Sequence, residues 1–105
     1  MSFTGNEDHS INLNDAAALT ARYREEEGDE FLGGYFSKAA INKILEQDGC
    51  VGIRIYNGLS ASDKRNFVLV GVNANGDDLT GGELAEFSID CPSNCPANSV
   101  LAGTD

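Results

Sequence analysis

Two neighbouring runs of alternating residues, "CVGIRIYN" at 50–57 and "NFVLVGVN" at 66–73, restrict this chain more than any other feature. A period of two marks a strand whose successive side chains point to opposite faces. In the first run Val51, Ile53 and Ile55 share one face, and Gly52, Arg54 and Tyr56 share the other. That strand is half-buried, with its apolar face under helices. In the second run Val68, Val70 and Val72 share one face, and Phe67, Leu69 and Gly71 the other. Both of its faces are apolar and both need cover. The polar stretch "GLSASDKR" at 58–65 joins the two and is longer than a tight turn.

The residues before these strands predict helices. In "YFSKAAINKILEQDG" Ser37 is the N-cap, Phe36 and Ile41 form a hydrophobic staple, and Ile41, Ile44 and Leu45 make the buried stripe. Gly49 supplies a left-handed stop. An earlier helix in "LNDAAALTARYREEE" is expected to start at Asn14 as N-cap, with Asp15 at the positive pole. Leu13 and Ala18 form a small staple, Ala16, Leu19 and Tyr23 a narrow packing face, and Arg22 and Glu26 an ion pair. Its end, "EEEGDE", sets Glu25, Glu26, Glu27, Asp29 and Glu30 against the negative pole, which predicts fraying before Gly28.

After the strands, "NANGDD" reads as a hairpin turn around Asn75-Gly76, with a short strand near Leu79. The segment "GGELAEFSID" reads either as a strand through Phe87 and Ile89 or as a helical turn over Glu83 to Glu86. The pairs Gly33-Gly34 and Gly81-Gly82 read as turns. Pro92 and Pro96 cannot donate to a ladder, so the tail is expected as coil. The sum is one α+β domain over 1–105. It has a polar N-terminal arm at 1–10, a core at 11–90 and a Cys/Pro tail at 91–105. The core is two N-terminal helices packed on a small antiparallel sheet.

Charge narrows the partners. Seventeen acidic residues against seven basic ones give a net charge of −10. Such a field repels nucleic acid and anionic membranes, and suits a basic protein partner or cations. It also simply keeps a small domain soluble. No apolar run approaches the roughly 20 residues of a membrane helix, and "MSFTGNEDHS" lacks signal-peptide character. The default expectation is a cytoplasmic protein, with export by a signal-less route left open.

The cysteines are Cys50, Cys91 and Cys95, and two of them stand in "CPSNCP". The spacing permits a Cys91–Cys95 disulfide, a tie to another subunit, or a stiff proline-set end to the fold. A Cys₃His zinc set would need Cys50 and His9 to converge with that pair, although Cys50 opens an apolar strand and His9 lies in a polar arm. The spacing is not the C-x-x-C of dithiol enzymes. "NANGDD" alternates oxygen ligands like a calcium loop, but Asp78 and Leu84 stand where glycine and glutamate are required. A nucleophilic Cys50 would need a base, and the single histidine is remote in sequence. The sequence therefore nominates no catalytic residue, no cofactor and no metal.

Arg54 lies mid-strand, where it either binds an anion or partner carboxylate or pairs within the sheet. Two helices cover one side of a sheet, leaving Arg54 and Tyr56 on the other beside either Phe67 and Leu69 or the valines, according to register. The chain's tail or a second copy must cover that apolar side. The expectation is a non-enzymatic, self-associating subunit of a homo-oligomer or filament, with Arg54, Tyr56, Phe67 and Leu69 at the interface and Cys91 and Cys95 as covalent ties. The alternative is an acidic inhibitor or immunity-type protein that binds a basic protein through Glu25, Glu26, Glu27, Asp29 and Glu30.

The runs "ILEQDGCVGIRIYNG", "LVGVNANGDDL" and "CPSNCP" resemble a group of small uncharacterised bacterial proteins. Those proteins share an "ARYR" helix, a "GCVGIRIY" strand, an "LVGV" strand and a C-terminal cysteine-proline motif. The resemblance covers most of the chain from Ile11 and implies a shared fold and no mechanism.

Overall fold

The computed structural model describes residues 2–104. In chain order they form α1 (Leu13–Glu27), β1 (Gly33–Tyr35), α2 (Lys38–Leu45), β2 (Cys50–Leu59), β3 (Arg65–Asn73), β4 (Leu84–Ala85) and β5 (Ile89–Cys91). The class is α+β, with two small antiparallel sheets. The chain divides into two compact units, Met1–Asp8 with Phe36–Ser88 and His9–Tyr35 with Ile89–Asp105. The helices are thus not a pair on one sheet: α2 belongs with β2, β3 and β4, whereas α1 belongs with β1, β5 and the tail. The reason is visible on α1 itself, which buries none of its residues and leaves Leu19 exposed.

In the first unit Ser37 caps α2 by accepting a hydrogen bond from the Ala40 amide at 3.1 Å. Ile44 is 1% exposed, while Ile41 is half-buried and Leu45 exposed, so one residue anchors the stripe. The helix ends at Leu45 with Glu46 as C-cap, before the predicted stop. Gly49, at φ 77°, instead serves the turn into β2. β2 and β3 form a long antiparallel hairpin, with β4 on the far side of β3. Its connection is tighter than expected. Ser60 donates its amide to Lys64 O at 2.9 Å and accepts the Lys64 amide on its hydroxyl, while Asp63 takes the left-handed conformation at φ 63°.

The "NANGDD" turn forms as predicted: Asn73 Oδ1 accepts from the amides of Asn75 and Asp77, and Gly76 sits at φ 87°. The polar arm has no helix or strand at residues 2–8, yet it is held. Phe3 donates to Ala74 O at 2.8 Å, and Glu7 accepts from the Thr4 and Gly5 amides. Those backbone bonds, that of Thr4 foremost, draw the Glu7 carboxyl below its usual range.

In the second unit α1 starts two residues earlier than predicted, because Asn12 rather than Asn14 is the N-cap and accepts the Asp15 amide at 2.8 Å. It does not fray before Gly28. Gly28, at φ 84°, donates to Arg24 O, and the Arg24 guanidinium donates to Leu101 O at 2.9 Å. Gly33-Gly34 is not a turn but the start of β1, paired with β5 in the register Gly33↔Cys91, Gly34↔Asp90 and Tyr35↔Ile89. The ambiguous segment resolves as two short strands, β4 and β5, separated at Phe87, whose φ of 58° breaks the extended backbone. Beyond Cys91 the tail is irregular but bonded, with Thr104 Oγ1 donating to Pro96 O at 2.8 Å.

Candidate functional site

The β2–β3 register decides which side chains meet. Opposed residues in an antiparallel pair share a face. Ile53 faces Gly71, Ile55 faces Leu69 and Asn57 faces Phe67, whereas Arg54 faces Val70 and Tyr56 faces Val68. A Cβ on Gly71 would lie 3.3 Å from Ile44 Cγ2, so the Gly71 face is the one under α2. The expected cluster of Arg54, Tyr56, Phe67 and Leu69 is therefore split across the sheet. Leu69 is 2% exposed and Phe67 half-buried on the α2 side, and the valines join Arg54 and Tyr56 instead. Val70 and Val72 are buried, so no broad apolar patch is open beside Arg54.

What is open lies along the outer edge of β2. Among the described residues β2 pairs only with β3. Gly71 accepts from the Leu79 amide and Asn73 donates to Asp77 O, so these β3 residues turn their main-chain groups away from β2. Main-chain groups alternate along an antiparallel strand, and opposed residues turn the same way. Ile53, Ile55, Asn57 and Leu59 consequently present N–H and C=O to the outer edge. Ile55 and Leu59 are 60% and 67% exposed there, and Tyr56 is exposed on the other face. The eight-residue α2 is about 12 Å long, too short to reach the distal half of a ten-residue strand.

Near that edge Arg54 has an internal partner. Its Nη1 donates to Asp78 Oδ1 and, at 3.2 Å, to Gly76 O. The Tyr56 hydroxyl donates to the other Asp78 oxygen. The Tyr56 hydroxyl and then the Arg54 guanidinium hold the Asp78 carboxyl below the usual carboxylate range. Asp78 in turn raises the Tyr56 phenol and the Arg54 guanidinium. The cluster pins the 73–78 turn to β2. Sequence reading named Arg54 and Tyr56 but missed Asp78, although a hairpin turn at 73–77 returns that residue across β3, where it bridges Val72.

The other nominated residues fall elsewhere. Glu25, Glu26, Glu27, Asp29 and Glu30 are all exposed at the end of α1 and just beyond it. Cys91 and Cys95 form an intramolecular disulfide with Cα atoms 4.6 Å apart. As a disulfide they supply neither thiolate ligands nor ties to another subunit. Cys50 is a half-buried free thiol that donates to Gly52 O at 3.3 Å and stands against Gly71. Among the described residues no group of three or more His, Cys, Asp or Glu side chains is placed to hold a metal ion. The disulfide also lines an open cleft of about 620 Å³ in the second unit, beside Leu32, Tyr35, Ile89 and Leu101. No described helix is long and apolar enough to cross a membrane. Comparison with protein-family models, with curated proteins and with solved structures returned no match.

Proposed function

We infer that this chain is a non-enzymatic, self-associating subunit of a homo-oligomer. The observation that carries the reading is the unpaired outer edge of β2, flanked by exposed Ile55, Tyr56 and Leu59. A long edge strand with free main-chain groups and apolar side chains is a template for another strand. Natural monomers often blunt such edges with lysine or proline, and β2 carries neither between Ile53 and Leu59. The Cys91–Cys95 disulfide fits assembly in an oxidising setting. Size-exclusion chromatography with light scattering, run at rising concentration with and without reductant, tests the reading. A mass above that of the single chain supports it; a monomer throughout ends it.

A second reading draws on the exposed acids Glu25, Glu26, Glu27, Asp29 and Glu30, broken only by Gly28. It makes the protein an acidic ligand of a basic protein. It requires association that weakens with salt and when those residues are neutralised.

A further inference from the structure

We propose that two copies join by antiparallel pairing of β2 with β2 about a two-fold axis at Asn57, giving one six-stranded sheet. This rests on the self-association reading and gives it a surface and a register. The outward N–H and C=O groups of Ile55, Asn57 and Leu59 supply about six main-chain hydrogen bonds when Ile55 opposes the partner's Leu59 and Asn57 opposes its own copy. Only this register opposes the two most exposed apolar side chains of β2. On the α2 side this one sets exposed Ile55 against exposed Leu59 twice, extending the row that Leu69 begins. The Asn57 amides meet at the axis. On the other side Tyr56 lies over the partner's Gly58, an aromatic–glycine pair that shields the glycine backbone. Moving the axis one residue to Tyr56 would place Ile55 against Asn57 and Leu59 against half-buried Ile53, leaving exposed Ile55 without an apolar partner.

The strand's self-complementarity about Asn57 selects a second copy as the occupant, and charge permits it at this strip. Two chains of net charge −10 repel over most of their surface. The hairpin from Cys50 to Asn73 is the exception, since its charged residues are Arg54, Asp63, Lys64 and Arg65. Arg54 is already neutralised by Asp78, and between Ile55 and Leu59 there is no charge. In the proposed register the basic tips lie at opposite ends of the joint, so they do not face each other. A two-fold joint of this kind is self-complementary and closes after two copies.

The test uses the full chain. Asn57→Pro removes an N–H that β3 does not use, and Ile55→Lys places a charge at the joint, so both should halve the mass in light scattering while keeping the wild-type circular dichroism. Asn57→Cys, in a Cys50→Ser background, should form an intermolecular disulfide under mild oxidation. Residue 57 meets its own copy at about 5.5 Å between Cα atoms, within disulfide reach. Ala61→Cys in the same background should not cross-link. An oligomer that survives both edge variants, with no cross-link at 57, overturns the joint and leaves self-association standing. Equal cross-linking at 57 and 61 overturns the register. A wild-type monomer at every concentration ends both. Where either edge variant fails to fold, the cross-linking pair decides.

Discussion

Ile44 is the residue on which the first unit's packing turns, and Ile44→Ala measures how much. Ile44 is 1% exposed and its Cγ2 lies against the glycine surface of Gly71. The substitution removes one methylene and two methyl groups, worth about 2.4 kcal/mol at ~0.8 kcal/mol per group. The void adds to this, because Gly71 has no side chain with which to fill it. Buried Ile→Ala changes cost about 2–5 kcal/mol, and the transfer loss plus a void that cannot fully collapse places this one at about 3–4 kcal/mol. Against a total of about 5–15 kcal/mol this is a large share of the stability. Urea denaturation followed by circular dichroism should show a lower midpoint at an unchanged slope. Leu45→Ala, one residue on and 42% exposed, is the control and should cost about 1 kcal/mol or less. A loss below about 1 kcal/mol for Ile44→Ala, or equal losses for the two variants, would refute the assignment of α2's buried side.

Gly71→Ala should destabilise by about 1–3 kcal/mol, since the new Cβ would stand 2.9 Å from Gln47 Nε2 and 3.0 Å from Cys50 Sγ; partial recovery in a Cys50→Ala background is the diagnostic result in urea melts. Asp78 has a depressed carboxyl in the fold, so its contribution is full above the ordinary carboxylate range and is lost as pH falls through the folded-state value. Asp78→Asn should flatten that acid limb of the stability–pH curve and return the Tyr56 phenol toward its ordinary titration, read by ultraviolet absorbance. Reducing the Cys91–Cys95 disulfide, which closes a loop of sequence separation 4, should cost about 2 kcal/mol in the urea midpoint on the chain-entropy model; no change would remove it as a structural element.

Features decided by neighbouring residues were legible in the sequence. The Ser37 cap, the Asn73–Asp77 turn and the two long strands depend on short-range geometry and alternation. Features decided by a distant partner were not. Gly33-Gly34 has no strand propensity of its own and becomes β1 only because β5 pairs with it. The placement of α1 followed from a stripe too thin to bury anything, which its spacing concealed. The faces of the β2–β3 hairpin were half legible, and Ile55, expected under the helices, is 60% exposed. Arg54 and Tyr56 were found on one face, but which of β3's two apolar faces joined them depended on register, to which a strand apolar on both sides gives no clue. The pairing of Cys91 with Cys95 was one of several outcomes that the spacing allowed.

The pairing of β2 with β3 slips by one between Cys50 and Gly52, leaving Val51 as the surplus member. Cys50 and Ile53, an odd number of positions apart, consequently address the same helix. Val51 is thus the one place in the strand where losing a residue preserves the parity of everything on either side. Excision at Ile53 or beyond would transpose the inner and outer sets. For anyone aligning distant versions of this chain, a gap belongs at 51.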